Sequence, residues 1–60
     1  MSKRAVNAVF SAIFVLCDLR MLFRQTAPNH KLDDEQAIFA KTLLHQLESE
    51  VQTLKEELLK

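Results

Sequence analysis

The sequence has few of the residues that small folds use as cross-links. It has no glycine, tryptophan or tyrosine, one proline and a single cysteine among its 60 residues. One cysteine cannot form a disulfide within the chain, and Cys17, His30 and His45 lack the paired spacing of a structural zinc site. Without glycine the chain cannot build a phosphate-cradling loop. We therefore expect no cofactor and no metal ion, and we expect that the protein is not an enzyme.

The length of the chain limits what it can bury alone. Sixty residues form one domain at most, and a folded chain of this size buries only about 60% of the surface that its unfolded form exposes. Small folds without disulfides or metals gain stability by oligomerising or by docking onto a partner. Strong helix formers dominate the composition. We predict a single all-α helix–loop–helix oligomerisation and interaction domain over residues 1–60.

The second half of the chain carries an apolar heptad pattern, which is the periodicity of a helix that packs against another helix. Phe39, Leu43 and Leu59 stand beside this seam and widen the apolar stripe, which favours a four-helix bundle over a simple zipper. The predicted oligomer interface comprises Ile13 and Leu16 of the first helix and the heptad seam Ala37, Ala40, Leu44, Leu47, Val51, Leu54 and Leu58.

The first half, from Ala5 to Phe23, is apolar on almost every side of a helix. A helix with so narrow a polar face is usually buried on several sides. We therefore favour a central bundle helix, covered by its own partner helix and by a second chain, with Cys17 packed as a small hydrophobe. The polar residues fall on one narrow stripe, which consists of Asn7, Ser11, Asp18 and Gln25.

Two other interpretations of this apolar segment stay open. A membrane span needs about 20 apolar residues, and Asp18 and Arg20 interrupt the run at a cost in the bilayer. A secretory or lipoprotein signal would place Lys3 and Arg4 before an apolar stretch. In a lipoprotein signal Cys17 would be the lipidated residue, and cleavage favours a small residue just before it. Leu16 is not small.

Local signals mark where the helices begin and end. Pro28 cannot continue a helix, Asn29 suits a turn, and Asp33 with Gln36 forms a capping-box pattern. We predict an antiparallel hairpin with helix 1 at about 3–25 and helix 2 at about 34–59. In such a hairpin Lys3 and Arg4 lie near Glu56 and Glu57, and Arg20 and Arg24 lie near the acidic residues 33–35.

The turn Leu32-Asp33-Asp34-Glu35-Gln36-Ala37 resembles the loop of the Rop family, and Met1-Ser2-Lys3 is similar to the start of that family. These proteins are small homodimeric four-helix bundles that bind RNA in plasmid copy control. The likeness covers about nine of the 60 residues. It implies a dimer that grips paired RNA hairpins through helix 1, where the residues suited to RNA contact are Lys3, Asn7, Phe14 and Arg24.

We expect a cytoplasmic, non-enzymatic interaction protein, such as a regulator, inhibitor or adaptor, that forms a homodimer and binds another protein through apolar helical surface. Aromatic, methionine and arginine side chains are enriched at such interfaces. The alternatives are a Rop-like RNA-binding regulator and a membrane-associated hairpin. The sequence leaves open whether two hairpins pair in parallel or antiparallel. The residues expected to contact the partner protein are Phe10, Phe14, Met21, Phe23, Arg20 and Arg24.

Binding to nucleic acid is less favoured by the charge of the chain. Its first half is basic, but eight basic and eight acidic residues give zero net charge. Contacts to phosphate supply most non-specific affinity for nucleic acid, and they need an excess of positive charge. We therefore expect the basic and acidic halves to neutralise one another within the protein. The basic residues of the first half are Lys3, Arg4, Arg20, Arg24 and Lys31.

Overall fold

The computed structural model describes residues 2–59, so Met1 and its part in the resemblance above lie outside it. Two helices, α1 (Lys3–Thr26) and α2 (Asp34–Leu58), pack against each other along their length. The hairpin measures 41 × 16 × 14 Å. The predicted all-α helical hairpin is confirmed, and the helix ends differ from the predicted ones by one residue.

The start of α1 is fixed by Ser2, which is extended and acts as the N-cap. Its hydroxyl accepts a hydrogen bond from the Ala5 amide at 3.1 Å. This bond satisfies one of the amides that have no partner within the first turn of a helix. The same hydroxyl donates to Glu57 Oε1 at 2.6 Å, so the cap of α1 is also bonded to the last turn of α2.

The end of α1 and the turn are closed by local hydrogen bonds. Thr26 donates its hydroxyl to the Leu22 carbonyl at 3.0 Å, and the His30 amide donates to the Thr26 carbonyl at 2.8 Å. His30 has a φ of 55°, and histidine is one of the residues that adopt this left-handed region more often than most. The Ala27–Pro28 peptide bond is cis.

The start of α2 is the capping box that the sequence predicts. The Gln36 amide donates to Asp33 Oδ1 at 2.8 Å, and the Asp33 amide donates to Gln36 Oε1 at 3.0 Å. Asp34 and Glu35 follow in the first turn, where negative charge is stabilised by the positive end of the helix dipole. The capping box therefore determines where the chain turns back into a helix.

Replacing Asp33 with alanine should lower the free energy of unfolding by about 1 kcal/mol, because the cap and its reciprocal bond are both lost. Urea denaturation followed by circular dichroism measures the change. The control is Glu35→Ala, which removes a first-turn charge without touching the box and should cost only about 0.3–0.5 kcal/mol. Equal effects of the two substitutions would contradict the role of the box.

The core between the helices is small. The buried residues within 2–59 are Ala5, Ala8, Val15 and Leu22 of α1 and Leu43 of α2. Three alanines, Ala5, Ala8 and the half-buried Ala12, line the first half of α1, so the helices approach closely there. Only three of the five buried side chains are larger than alanine. A core of this size gives a chain of 60 residues little stability on its own.

The residues of α2 that face α1 follow a heptad seam that shares Ala40, Leu47 and Leu54 with the predicted one and differs from it by one residue at the other positions. Of the predicted interface residues on α2, Ala40, Leu47 and Leu54 are half-buried in the hairpin. The exposed ones are Ala37, Leu44, Val51 and Leu58, and their place in an oligomer interface stays a prediction. Leu43 is buried in place of its neighbour Leu44. The buried and half-buried positions that continue this seam are Gln36, Ala40, Leu43, Leu47, Glu50, Leu54 and Glu57.

The shift in register has a physical reason at the open end of the hairpin. Glu57 accepts hydrogen bonds from both Ser2 and Arg4, so it must face α1. Glu57 lies fourteen residues, or two heptads, beyond Leu43, so the same face of α2 brings Leu43 inward. The seam that faces α1 contains the charged residues Glu50 and Glu57. Its apolar periodicity in the sequence is therefore weaker than that of the seam through Leu44.

Candidate functional site

One flank of the hairpin carries an apolar surface, which we call the side face and which Arg20 interrupts between Leu16 and Phe23. Residues 8, 15 and 22 of α1 and residues 36, 43, 50 and 57 of α2 point towards the other helix. In an antiparallel pair of right-handed helices, the residue that directly follows each of these lies on the same flank of the hairpin. All the apolar side chains there are exposed in the hairpin. The side face comprises Val6, Val9, Ile13, Leu16 and Phe23 of α1 and Ala37, Leu44, Val51 and Leu58 of α2.

The opposite flank is mainly polar. It carries Arg4, Ser11, Asp18 and Gln25 from α1 and Phe39, Gln46 and Thr53 from α2. Within residues 2–59, Phe39 beside the turn is the only one of these residues with a large apolar side chain. The hairpin is thus amphipathic as a unit, with one flank suited to water and one flank suited to burial.

The predicted interface residues Ile13 and Leu16 lie at the middle of the side face, together with Leu44 and Val51. The sequence reasoning missed Val6 and Val9, which extend the side face towards the start of α1. Their signal was present, because Val6, Val9, Ile13 and Leu16 recur at the 3-4-3 spacing of a second apolar seam on α1. The first helix was interpreted as apolar all round, which hid this seam.

A second apolar surface runs along the side of α1 that points away from α2. We call it the outer stripe, and it consists of Phe10, Phe14, Cys17 and Met21. Phe14 is 69% exposed, and Cys17 is exposed rather than packed in the hairpin. Basic residues stand at both ends, with Lys3 before Phe10 and Arg24 after Met21. Such a surface can bind an apolar partner that has acidic groups at its margins.

The structure places the six predicted partner-binding residues on two different surfaces. Phe10, Phe14, Met21 and Arg24 lie on or at the end of the outer stripe, whereas Arg20 and Phe23 belong to the side-face flank. Phe23 also contacts His30 edge-on, with ring centroids 5.7 Å apart. Of the residues that the Rop resemblance points to, Lys3, Asn7, Phe14 and Arg24 are all exposed on the outward side of α1.

The hairpin exposes more surface than a compact protein of its mass. Its accessible surface is 4846 Å² for 6.9 kDa. A compact monomer of that mass exposes about 4,000 Å² by the usual scaling of surface with mass. The excess is similar to the roughly 800 Å² that each partner buries in a protein–protein interface of standard size.

Arg4 joins the open ends of the two helices. Its guanidinium contacts Glu56 at 3.2 Å and Glu57 at 3.4 Å, so the predicted proximity of Arg4 to these two glutamates is confirmed. Arg20 and Arg24 make no ion pair with Asp33, Asp34 or Glu35 within residues 2–59. The basic charge near the turn is therefore left available on the surface.

Substitution of Arg4 by alanine should cost only about 0.5 kcal/mol of unfolding free energy, because ion pairs in contact with water are worth little. The effect should shrink when salt is raised from low to molar concentration, since salt screens the pair. Chemical denaturation in urea at both ionic strengths measures it. The control Lys31→Ala removes a basic residue of the turn and should leave stability unchanged.

The described residues form no cluster that could bind a metal ion. Within 2–59 no three His, Cys, Asp or Glu side chains lie close enough together to hold a metal ion. A shallow recess on α2 is lined by Leu47, Glu48, Val51, Gln52 and Lys55. Its lining includes Val51 of the side face together with three polar or charged residues, so it lies at the edge of that face.

Helix α1 is long and apolar enough to cross a membrane by length and composition. Its most apolar window of 18 residues has a mean hydropathy of 1.8, and 17% of that window is buried in the hairpin. Core helices of soluble proteins and signal sequences share these properties. The cytoplasmic location expected from the sequence stays a prediction.

A scan against protein-family models, a search of curated proteins and a search of solved structures found no match to this chain. The similarity of residues 32–37 to the Rop loop therefore rests on those residues themselves. The function is argued below from the surfaces of the hairpin.

Proposed function

We propose that the protein is a small non-enzymatic interaction module that forms a homodimeric four-helix bundle and binds another protein through apolar helical surface. The observation that carries this proposal is the contrast between the two flanks of the hairpin. The side face carries apolar side chains from Val6 at one end to Phe23 and Ala37 at the other, with Arg20 as a charged residue among those of α1, and the opposite flank is mainly polar. A second hairpin that covers the side face completes the missing core.

The side chains of the side face suit a helix-bundle core. Leucine, isoleucine and valine dominate it, and they recur at heptad spacing on both helices. Burying such side chains stabilises an assembly by about 1.5–3 kcal/mol each when they are fully covered. In this arrangement Ala40, Leu47 and Leu54 contact α1 of the same chain, and Leu44, Val51 and Leu58 contact the second chain.

The outer stripe is the surface that we assign to the partner protein. Formation of the bundle leaves Phe10, Phe14 and Met21 in water, because they point away from both α2 and the side face. Aromatic residues, methionine and arginine are the side chains enriched at the centres of protein interfaces. A homodimer displays two copies of this stripe, so it can bring two partner molecules together.

Light scattering after gel filtration in detergent-free buffer tests the dimer. A chain of 6.9 kDa should give twice that mass at high concentration and a smaller weight-average mass on dilution. The double substitution Phe10→Ser with Phe14→Ser, which alters only the outer stripe, should leave the dimer intact. A monomer at every concentration would overturn the proposed assembly.

A membrane-associated hairpin is the second candidate, and the exposure of α1 favours it. Most of its apolar window is unburied, and the outer stripe has the basic residues Lys3 and Arg24 at its ends, as in helices that lie at a lipid surface. Flotation with phosphatidylcholine and phosphatidylglycerol vesicles separates the two functions. A hairpin that is monomeric in buffer and floats with vesicles supports this candidate, whereas a dimer that stays with the soluble fraction supports the bundle.

A further inference from the structure

A row of charged side chains borders the side face along α2. It consists of Asp34, Lys41, Glu48 and Lys55, which are seven residues apart and alternate in sign. We call it the charge row. Because the spacing is one heptad, the four side chains lie along one line of the helix, next to the line of Ala37, Leu44, Val51 and Leu58. All four are exposed.

The charge row has no ionic partners within the hairpin. In the part of the chain from Ser2 to Leu59, the ion pairs that form are those of Arg4 with Glu56 and Glu57. The four side chains of the row are too far apart along the helix to pair with one another, at about 10 Å per heptad. Charges at this position beside an apolar helix seam select the partner and its direction.

The alternation of sign makes the row complementary to itself in one direction only. When α2 lies antiparallel to α2 of a second copy, Asp34 comes opposite Lys55 of that copy, and Lys41 comes opposite its Glu48. Two-fold symmetry repeats both contacts, so four attractive pairs form. If two α2 helices instead ran parallel in register, like charges would meet at every position.

Apolar residues of α1 fit the same axis. The α2 pairing has its midpoint between Leu44 and His45. On α1, antiparallel pairing with its midpoint between Phe14 and Val15 sets Ile13 against Leu16 and Val6 against Phe23 of the second copy, and Val9 against its Arg20. Because Ser2 and Arg4 contact Glu56 and Glu57, these two midpoints lie at nearly the same level of the hairpin.

We infer that a second copy of this chain docks on the side face with its turn at the opposite end. In this dimer α1 packs on α1 of the second copy and α2 packs on α2. The charge row of one chain then lies alongside the charge row of the other. This inference rests on the proposed dimer and specifies its orientation. The alternative dimer, with both turns at one end, places α2 against α1 of the second copy. That arrangement brings Lys41 to the level of Arg20, where the two positive charges repel.

Charge reversals separate the two orientations, with the dimer dissociation constant measured by sedimentation equilibrium at low salt. In the inferred orientation Lys41→Glu turns two attractive contacts with Glu48 into repulsive ones, so the dissociation constant should rise about tenfold, given a few tenths of a kcal/mol per contact. Glu48→Lys should have a similar effect. The double variant Lys41→Glu with Glu48→Lys restores opposite charges and should return the constant close to the original value.

The same variants identify the other outcomes. With both turns at one end, Lys41→Glu relieves the repulsion by Arg20 and tightens the dimer, which would overturn the inferred orientation but not the dimer. A dimer that none of the three variants affects would place the interface away from the charge row and also overturn the inference. A chain that is monomeric before any substitution would instead overturn the proposed dimer itself.

A distance measurement tests the orientation without altering any charge. In a Cys17→Ser background, Asn29→Cys carries a spin label in the turn, outside both the side face and the charge row. The inferred dimer separates the two labels by about the long axis of the hairpin, 41 Å. A distance close to the 16 Å width of one hairpin would place both turns at the same end and contradict the inference.

Discussion

Replacing Leu44 with glutamate should convert the dimer into a monomer, with a rise in the dissociation constant of about 100-fold or more. Leu44 lies at the middle of the side face and is 47% exposed in the hairpin. In the proposed bundle both copies of the residue meet near the symmetry axis, so the substitution removes two apolar contacts and brings two negative charges together. Sedimentation equilibrium and light scattering measure the loss.

The matched control for this prediction is Ile38→Glu. Ile38 is an apolar residue of the same helix, is 67% exposed and points away from both α1 and the side face. The substitution introduces the same charge and should leave the dimer unchanged. If Ile38→Glu dissociates the dimer as strongly as Leu44→Glu, the interface is not confined to the side face.

The Leu44 variant should also change how thermal stability depends on concentration. A protein that folds and dimerises together melts at higher temperature when it is more concentrated, because association favours the folded state by mass action. The original chain should show this dependence, and Leu44→Glu should lose it. A melting temperature that is independent of concentration in both proteins would contradict a dimer that stabilises the hairpin.

The ends of the helices could be predicted from the sequence because short-range chemistry determines them. Ser2, Asp33 and Gln36 each bond an amide three residues away, and Pro28 interrupts the helix where it stands. These signals need no knowledge of the rest of the chain. The proximity of Arg4 to the last turn of α2 also followed from helix lengths alone, since the two helices are nearly equal.

The register of α2 against α1 could not be predicted in the same way. Two heptad seams share Ala40, Leu47 and Leu54, and they differ in whether Leu43 or Leu44 completes them. Apolar content favours the seam with Leu44, Val51 and Leu58. The contacts of Glu57 with Ser2 and Arg4 favour the other seam, and these join residues more than fifty positions apart. Periodicity shows that a surface is apolar, but not which partner covers it.

This ambiguity has a consequence for function. A helix with two overlapping seams can satisfy one within its own hairpin and present the other to a second chain. The residues that extend the inward seam, Gln36, Glu50 and Glu57, are polar, whereas those that extend the side face are apolar. We therefore attribute the strongest apolar periodicity of the sequence to the proposed interface between chains rather than to the core of one chain.

Truncation of the neighbouring residue, Leu43→Ala, should destabilise the fold rather than the dimer interface. Leu43 is 5% exposed and is the only buried residue of α2 within residues 2–59. Its loss should cost about 2–4 kcal/mol, which in so small a protein lowers the melting temperature by at least about 10 °C. Unlike Leu44→Glu, the variant should melt at a lower temperature at every concentration and keep its concentration dependence.

The matched control Leu59→Ala shortens a leucine that is 77% exposed and should cost less than about 0.5 kcal/mol. If Leu43→Ala costs no more than this control, the helices do not pack in the register described, and Leu44 rather than Leu43 faces α1.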